Sequence, residues 1–227
     1  MATATRRGKT LKASLSEKPS QGQMLPEAVE EARRRIVQAA AEAFMKNGYG
    51  ATSINDICLQ LKATKGMIYH HFDSKAELFF AVHQRAMDIN LGGMVPIARS
   101  GQSASERLKA MTEEQLRLII LHFPYMCAAR QGVELYLLGS TTPAERLILR
   151  RLIVRRREFE QLFRSVIEDG MRSGEFRSVD SDIANKSLLG VLNWFTVWFQ
   201  PQREKAQDRD KIISGIVDFI MSSVAKR

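Results

Sequence analysis

Cysteine and long apolar runs are both scarce in this sequence of 227 residues, and each shortage excludes a class of protein. Cys58 and Cys127 are the only cysteines, and neither lies at metal-ligand spacing from a second cysteine or a histidine, so we expect no disulfide framework, metal site or cofactor. No run approaches the roughly 18 to 20 apolar residues that span a bilayer, and the polar N-terminus carries no hydrophobic signal segment. We therefore expect a cytoplasmic protein that makes no membrane contact.

Strand-like alternation is also missing, because apolar residues beyond the N-terminal segment recur at three- and four-residue steps. This periodicity predicts an all-α fold with about nine helices. Gly92-Gly93, Pro96 and Gly101 should break the pattern after the fourth of them. The predicted helices span roughly 26–47, 53–61, 65–71, 75–90, 103–121, 124–138, 143–172, 180–199 and 207–225.

Basic residues are in excess, with 34 Lys and Arg against 25 Asp and Glu and a formal net charge of +9. Such an excess favours a polyanionic partner only weakly, since many basic proteins have none. Residues 1–25 hold five Lys and Arg against Glu17 alone and little apolar content, which predicts a disordered basic tail.

Three capped helix starts follow one another within a short stretch of sequence. Ser53 can cap a helix in which Asp56 returns the hydrogen bond, and Thr64 can cap the next short helix. Ser74-Lys75-Ala76-Glu77 forms a further capping box. That box places Lys75 at a helix N-terminus, where free amides and the helix dipole favour a phosphate.

The helix capped by Thr64 has an outer face suited to DNA. Ile68 and Phe72 are four residues apart and should face inward. Two turns of helix are about 10 Å long, which suits a DNA major groove, and Gly66 leaves room for close backbone approach. The outward-facing residues are Lys65, Gly66, Tyr69 and His70.

This region resembles the N-terminal domain of the TetR family over about residues 33–85. The resemblance implies a bacterial, nucleoid-associated homodimer in which residues 26–80 bind double-stranded operator DNA and residues 81–227 dimerise and bind a small-molecule effector that releases the DNA. The matching residues are Gly48-Tyr49, Thr52-Ser53-Ile54, Asp56-Ile57, Thr64-Lys65-Gly66, Ile68-Tyr69, His71-Phe72 and Ser74-Lys75-Ala76-Glu77-Leu78. The implied phosphate contacts are Thr52 or Ser53, Thr64, Lys65, Tyr69 and Lys75. The residues implied to lie nearest base edges are Lys65, Gly66, Met67 and His70.

The turn between the two short helices departs from the family, which usually has glycine where this chain has Lys62. A left-handed backbone there would cost lysine up to roughly 1 kcal/mol relative to glycine. Either the turn is slightly altered or Lys62 reaches a phosphate.

Predicted helix 143–172 has a gap in its apolar stripe between Leu152 and Phe159, at Arg155 and Arg156. At least one guanidinium should therefore lie on or beside the core-facing stripe, where a cation needs an anionic partner. In one interpretation the partners are nearby acidic side chains, namely Glu134, Glu158 or Glu160. In the other, the arginines bind an anionic effector, for example one that carries phosphates.

The aromatic segment 193–201 is apolar nearly all round, as expected of a helix buried between two subunits. Helices 180–199 and 207–225 would build a four-helix dimer interface. The segment also resembles TetR relatives that respond to acyl-CoA or other CoA thioesters, and an acyl-CoA needs an apolar tunnel and arginines. The predicted pocket residues, of which the uncharged ones also suit an ordinary core, are Arg155, Arg156, Phe123, Met126, Tyr136, Phe159, Phe163 and Asn193.

Three other functions compete with this one. A repressor of an efflux gene would take an apolar or cationic drug-like effector, whereas inward arginines favour an anionic effector. A non-specific architectural DNA protein would show no sharp sequence preference. An enzyme would have to use Cys127 with His122, or Glu113 with Glu114, but neither pair has an orienting third group or converges on one substrate atom, so we predict no enzyme.

Overall fold

The computed structural model describes residues 26–139 and 141–226, which form nine helices. They are α1 (Pro26–Ala51), α2 (Ile54–Leu61), α3 (Lys65–Tyr69), α4 (Lys75–Ala98), α5 (Ala104–Leu121), α6 (Phe123–Leu138), α7 (Pro143–Ser173), α8 (Ser181–Trp198) and α9 (Ala206–Val224). The predicted all-α fold is confirmed, because the described residues hold no strand, only an isolated bridge between Phe176 and Ala225. The predicted basic tail, residues 1–25, lies outside the described part of the chain.

The predicted end of α4 is wrong, whereas α1 kinks where the sequence predicts its end. The sequence predicts that α1 ends at Asn47-Gly48, and Gly48 does leave the helical region at φ 76°, but helix resumes through Ala51. Helix α4 continues to Ala98 across Gly92-Gly93, where a break is predicted. Its last turns are buried against the C-terminal helices, so tertiary packing outweighs the poor helix propensity of glycine. Pro96 removes one backbone hydrogen bond, but it lies in the final turn.

The capping box predicted at the start of α4 is half formed. The Ser74 hydroxyl accepts from the Glu77 N–H at 3.1 Å, as the sequence predicts. The Glu77 carboxylate accepts instead from the Asp73 N–H at 2.7 Å, one residue earlier than the box requires. Both bonds still satisfy N–H groups at the helix start, so α4 begins where the sequence places it.

Buried side chains form two hydrophobic clusters, and α4 belongs to both. The N-terminal cluster joins α1, α2, α3 and the first half of α4 with Ala128 of α6 and with Leu149 and Leu152 of α7. The C-terminal cluster joins the second half of α4 with α5 to α9. Helix α4 therefore connects the three-helix N-terminal unit to the larger helical unit, and a displacement of α4 would reach both. Across the described ranges, no helix is long and apolar enough to cross a membrane.

Candidate DNA-binding surface and effector site

The turn between α2 and α3 has helix-turn-helix geometry. Ser53 caps α2, and its N–H donates to the Asp56 carboxylate at 2.7 Å, which holds the pKa of that carboxyl below its usual range. The Thr64 hydroxyl accepts from the Met67 N–H at 3.3 Å and caps α3. Between the caps, Lys62 adopts φ 53° and ψ 41°, the left-handed conformation in which a β-carbon is strained. The turn thus keeps the geometry that glycine would provide, with a lysine in it.

Most of the predicted DNA-contacting residues are exposed. Ile68 is completely buried and Phe72 nearly so, which turns the opposite side of α3 outward. The helix itself is shorter than predicted and ends at Tyr69, with His70 as its C-cap. Met67 is half-buried against the N-terminal cluster. The exposed members of the predicted set are Ser53, Thr64, Lys65, Gly66, Tyr69 and His70, and we refer to them as the α3 surface.

Thr52 and the Lys75 ammonium form hydrogen bonds at the end of α1. Thr52 is buried, and its hydroxyl donates to the Gly48 carbonyl at 2.7 Å. The Lys75 Nζ donates to the carbonyls of Tyr49 at 2.9 Å and of Thr52 at 3.0 Å, and it lies 4.4 Å from the centre of the Tyr49 ring. Carbonyls at a helix end lack intrahelical partners and attract a cation. The motif spacing shows Lys75 at the start of α4 but does not show that the end of α1 lies beside it.

The two arginines in the gap of the α7 stripe have different surroundings. Arg155 is 37% exposed and bonds Asp88 at 2.7 Å and Glu158 at 3.0 Å. Arg156 is only 16% exposed, and its Nε donates to Glu160 at 2.7 Å. The expectation that one guanidinium lies beside the core therefore fits Arg156, and both arginines have acidic partners from among those predicted. The third predicted partner, Glu134, pairs with Arg130 instead.

Four of the predicted pocket residues lie together in the C-terminal cluster. The Phe159 and Phe163 rings are 5.4 Å apart, and Met126 and Phe123 pack into the same cluster. Tyr136 does not join them, because it packs against the N-terminal cluster, with the Arg146 guanidinium 5.6 Å from its ring centre. The structure therefore separates Tyr136 from the other aromatic residues of the set.

Asn193, the remaining predicted pocket residue, is half-buried on α8. Its backbone carbonyl accepts from the Thr196 hydroxyl at 2.8 Å, a bond within one turn of the helix. The place of the Asn193 side chain in a pocket stays a prediction.

His83 is a buried polar residue that the sequence analysis missed. It is 0% exposed on α4, and within the described ranges neither ring nitrogen has a hydrogen-bond partner. Burial, together with the positive charge of Arg156, lowers the pKa of His83 to about 4, so the ring is neutral at pH 7. The available sequence signal was the helical repeat: His83, Met87, Asn90 and Met94 recur at four, three and four residues and are all buried.

Helices α8 and α9 expose large apolar side chains. Trp194 is 64% exposed and Phe219 is 63% exposed. The aromatic rings of Phe195 and Phe199 stack inside the C-terminal cluster with centres 4.5 Å apart, so α8 is apolar on both of its sides. An open groove of about 430 Å³ lies between the two helices and is lined mainly by aliphatic and aromatic side chains. The other large exposed apolar residues of α8 are Ile183, Val197 and Trp198.

The environment of Cys127 is that of a structural thiol. The side chain is buried, and burial raises the pKa of the Cys127 thiol to about 11. A thiol with that pKa stays protonated at neutral pH, whereas a nucleophilic cysteine acts as the thiolate. This geometry gives no support to the pair of Cys127 and His122 as a catalytic centre.

A capped helix-turn-helix unit followed by a helical unit with an apolar outer face defines a class of DNA-binding regulators. The family model described as bacterial regulatory proteins, tetR family, matches residues 36–82. The model described as Tetracyclin repressor-like, C-terminal domain, matches residues 101–224, more than half of the chain. The chain belongs to the TetR family of transcriptional regulators, whose members are not enzymes.

Relatives of known identity match most of the chain. The HTH-type transcriptional repressor KstR2 of Rhodococcus jostii is 28% identical over 173 residues, which covers 74% of this chain and 80% of the relative. The TetR family regulator PfmR of Thermus thermophilus superposes with a TM-score of 0.71 at 27% identity, over 85% of this chain and 100% of that chain. AibR, solved with isovaleryl coenzyme A and operator DNA, shares the fold with a TM-score of 0.68 at 22% identity, over 83% of this chain and 97% of that chain.

Proposed function

We propose that this protein is a homodimeric repressor that binds double-stranded operator DNA through the α3 surface and releases it when an anionic effector, an acyl-CoA or another CoA thioester, binds. The observation that carries the DNA-binding part is the α3 surface itself. It presents a cation, a phenol and an imidazole on the outer side of a capped helix whose inner side is buried. Such a helix suits the major groove, with Lys65 and Tyr69 toward phosphates and His70 toward base edges.

The proposal divides the work between the two parts of the chain. Residues 26–80 would bind DNA, and residues 81–227 would bind the effector and form the dimer. The exposed apolar side chains of α8 and α9 support the dimer, because monomeric proteins rarely expose several large apolar residues on one surface. Two copies of this helix pair would form a four-helix interface. We place the protein on the nucleoid in the bacterial cytoplasm, where its operator would lie.

The effector part of the proposal depends on Arg156. Its guanidinium is mostly buried, and within the described ranges its only hydrogen bond uses Nε, so the terminal nitrogens are available to a ligand oxygen. The structure of AibR with isovaleryl coenzyme A supports a CoA thioester as the class of ligand. The relatives do not favour the alternative of an efflux regulator with a drug-like effector.

The DNA-binding proposal is tested with Lys65→Ala and the matched control Lys46→Ala, which changes an exposed lysine on α1. Binding to a labelled fragment from the gene's own upstream region is measured in a mobility shift at several salt concentrations. Lys65→Ala should weaken binding and lower the slope of log affinity against log salt by about 0.9, the value for one phosphate contact. Equal slopes for Lys65→Ala and Lys46→Ala would contradict a phosphate contact at Lys65.

The effector proposal is tested on the same complex by adding palmitoyl-CoA, free palmitate and free CoA separately. Release by palmitoyl-CoA alone supports the lipid-responsive repressor. If DNA binds and none of the three compounds releases it, the effector assignment is wrong and the DNA-binding assignment stands. The role of the arginines is rejected if Arg155→Ala and Arg156→Ala both keep the full response. Operator binding without effector should survive both substitutions, because neither residue is on the α3 surface.

A further inference from the structure

His83 lies where three helices meet. A Cβ placed on Gly132 of α6 would lie 3.0 Å from the His83 Cδ2 and 3.6 Å from its Nε2. The same point is 3.5 Å from the Leu152 Cδ1 of α7. The absence of a side chain at Gly132 therefore makes room for the imidazole between α4, α6 and α7.

The imidazole is an unusual group to leave in this position without a partner. A neutral imidazole has one N–H donor and one acceptor nitrogen, and within the described ranges both lack a hydrogen-bond partner. Buried polar side chains in folded proteins nearly always have at least one partner, and leaving a group without one costs stability. An apolar residue would fill the same space without that cost. The position is therefore better suited to a group that gains its partner on ligand binding.

The surroundings of His83 indicate which chemical group that ligand would bring. Arg156 lies one turn after Leu152, the α7 residue that reaches the same point beside His83, and its positive charge acts on the imidazole. Within the described ranges its terminal guanidinium nitrogens make no hydrogen bond, so they are available for an oxygen. Each of the two residues is followed on its own helix by a buried apolar side chain. Met87 lies one turn after His83, Phe159 lies one turn after Arg156, and both are buried in the C-terminal cluster. The junction of α4, α6 and α7 thus combines two N–H donors with an apolar side, which is lined by the adaptable side chain of methionine.

We propose that His83 and Arg156 together bind the carbonyl or carboxylate oxygen at the head of an acyl chain, and that the chain lies along Met87 and Phe159. This inference rests on the proposed effector function and adds the residue that recognises the acyl head. The His83 N–H and an Arg156 N–H donate to the same oxygen. Because His83 is completely buried where α4, α6 and α7 meet, the ligand reaches it only if α6 or α7 moves away from α4. That movement acts on α4, which begins beside the helix-turn-helix unit.

The test follows the NMR resonances of protein whose histidines are labelled at a ring carbon. The chain has only four histidines, so the His83 resonance can be assigned by its loss in His83→Gln. Palmitoyl-CoA and palmitate are titrated separately, and release of the upstream DNA fragment is measured in parallel. We expect the His83 resonance to shift with the thioester, with the free acid, or with both, which identifies the form of the head group. His83→Leu should raise the concentration for half release by about tenfold, whereas His83→Gln, which keeps a donor, should raise it less. The control His122→Gln changes a histidine outside the junction and should behave as the wild type.

The outcomes separate this inference from the proposed function. If palmitoyl-CoA releases DNA but the His83 resonance does not shift and His83→Leu responds as the wild type, the inference is overturned and the effector proposal stands. If the resonance shifts but no DNA is released, the binding role of His83 stands and the release function falls. If neither compound shifts the resonance or releases DNA, both are overturned. A loss of response in His83→Leu with equal loss in His122→Gln would also overturn the specific role of His83.

Discussion

Lys62 carries backbone strain in the turn of the DNA-binding unit. It is the only non-glycine residue with positive φ in the described part of the chain. Lys62→Gly should therefore raise the free energy of unfolding by up to about 1 kcal/mol, measured by urea denaturation. The matched control is Leu59→Gly in the exposed, regularly helical part of α2, which should lower it by about 1 kcal/mol.

Operator binding by Lys62→Gly distinguishes the two interpretations of this lysine. If Lys62 only closes the turn, the variant keeps the salt dependence of the wild type. If Lys62 contacts a phosphate, the slope against log salt falls by about 0.9. A loss of stability in Lys62→Gly would contradict the strained conformation.

His83 should make stability fall at mildly acidic pH. Its pKa is about 4 in the folded protein and near its usual 6.5 in the unfolded chain, so between these values only the unfolded chain binds the proton. The free energy of unfolding therefore falls as pH drops through this window, by about 3 kcal/mol in total from this group. His83→Leu should flatten the profile between pH 6.5 and 4, measured by urea denaturation across that range.

A histidine with partial exposure provides the control for the His83 profile. Burial and the charge of Arg85 also lower the pKa of His122, but this side chain is only half-buried, so His122→Leu should change the profile much less. An unchanged profile in His83→Leu would show that His83 is not buried in neutral form.

At the scale of single elements, the adjacent glycines of α4 offer a test of why the helix continues through them. A Cβ on Gly92 would meet nothing within 4 Å, whereas a Cβ on Gly93 would lie 2.7 Å from the Leu118 Cδ1 of α5. Gly92→Ala should raise the free energy of unfolding by about 1 kcal/mol, because alanine is the better helix former. Gly93→Ala should gain less or lose stability, because Leu118 must move.

Thermal unfolding of the two alanine variants measures this difference directly, since both substitutions make the same chemical change in the same helix. If Gly92→Ala is destabilising, the continuous helix over Gly92-Gly93 is wrong and the break predicted from the sequence is correct. If the two variants are equally stabilised, α4 and α5 do not pack closely at Gly93.

At the scale of the whole molecule, the apolar faces of α8 and α9 should decide the oligomeric state. Trp194→Asp combined with Phe219→Asp places two charges on this surface, so the proposed dimer should dissociate at micromolar concentration in sedimentation equilibrium. Operator affinity should fall with it, because each subunit of a dimer reads one half-site. Leu121→Asp, on a comparably exposed leucine of α5, is the control and should leave the mass unchanged. A double variant that keeps the mass of the wild type would contradict this interface.

Local sequence patterns were sufficient for the helices and their caps. Ser53, Thr64 and Ser74 each cap the helix that the sequence predicts, because a cap depends on residues three positions apart. Apolar periodicity likewise placed nine helices and put Ile68 and Phe72 inside, since a stripe at helical spacing is a property of one segment. The predicted end of α4 failed, because packing against other helices overrode the local preference of Gly92 and Gly93. Gly48 does leave the helical region where the sequence predicts the end of α1.

The contacts between distant segments were decided only by the tertiary structure. The sequence by itself determined an all-α chain with a helix-turn-helix unit and a cation beside the core of α7. It did not determine that Lys75 closes the end of α1, that Tyr136 packs toward the N-terminal cluster, or that His83 lies against Gly132 and beside Arg156. Each of these depends on which helix faces which, and that is set by the combined burial of the packed helices rather than by the spacing within any one of them.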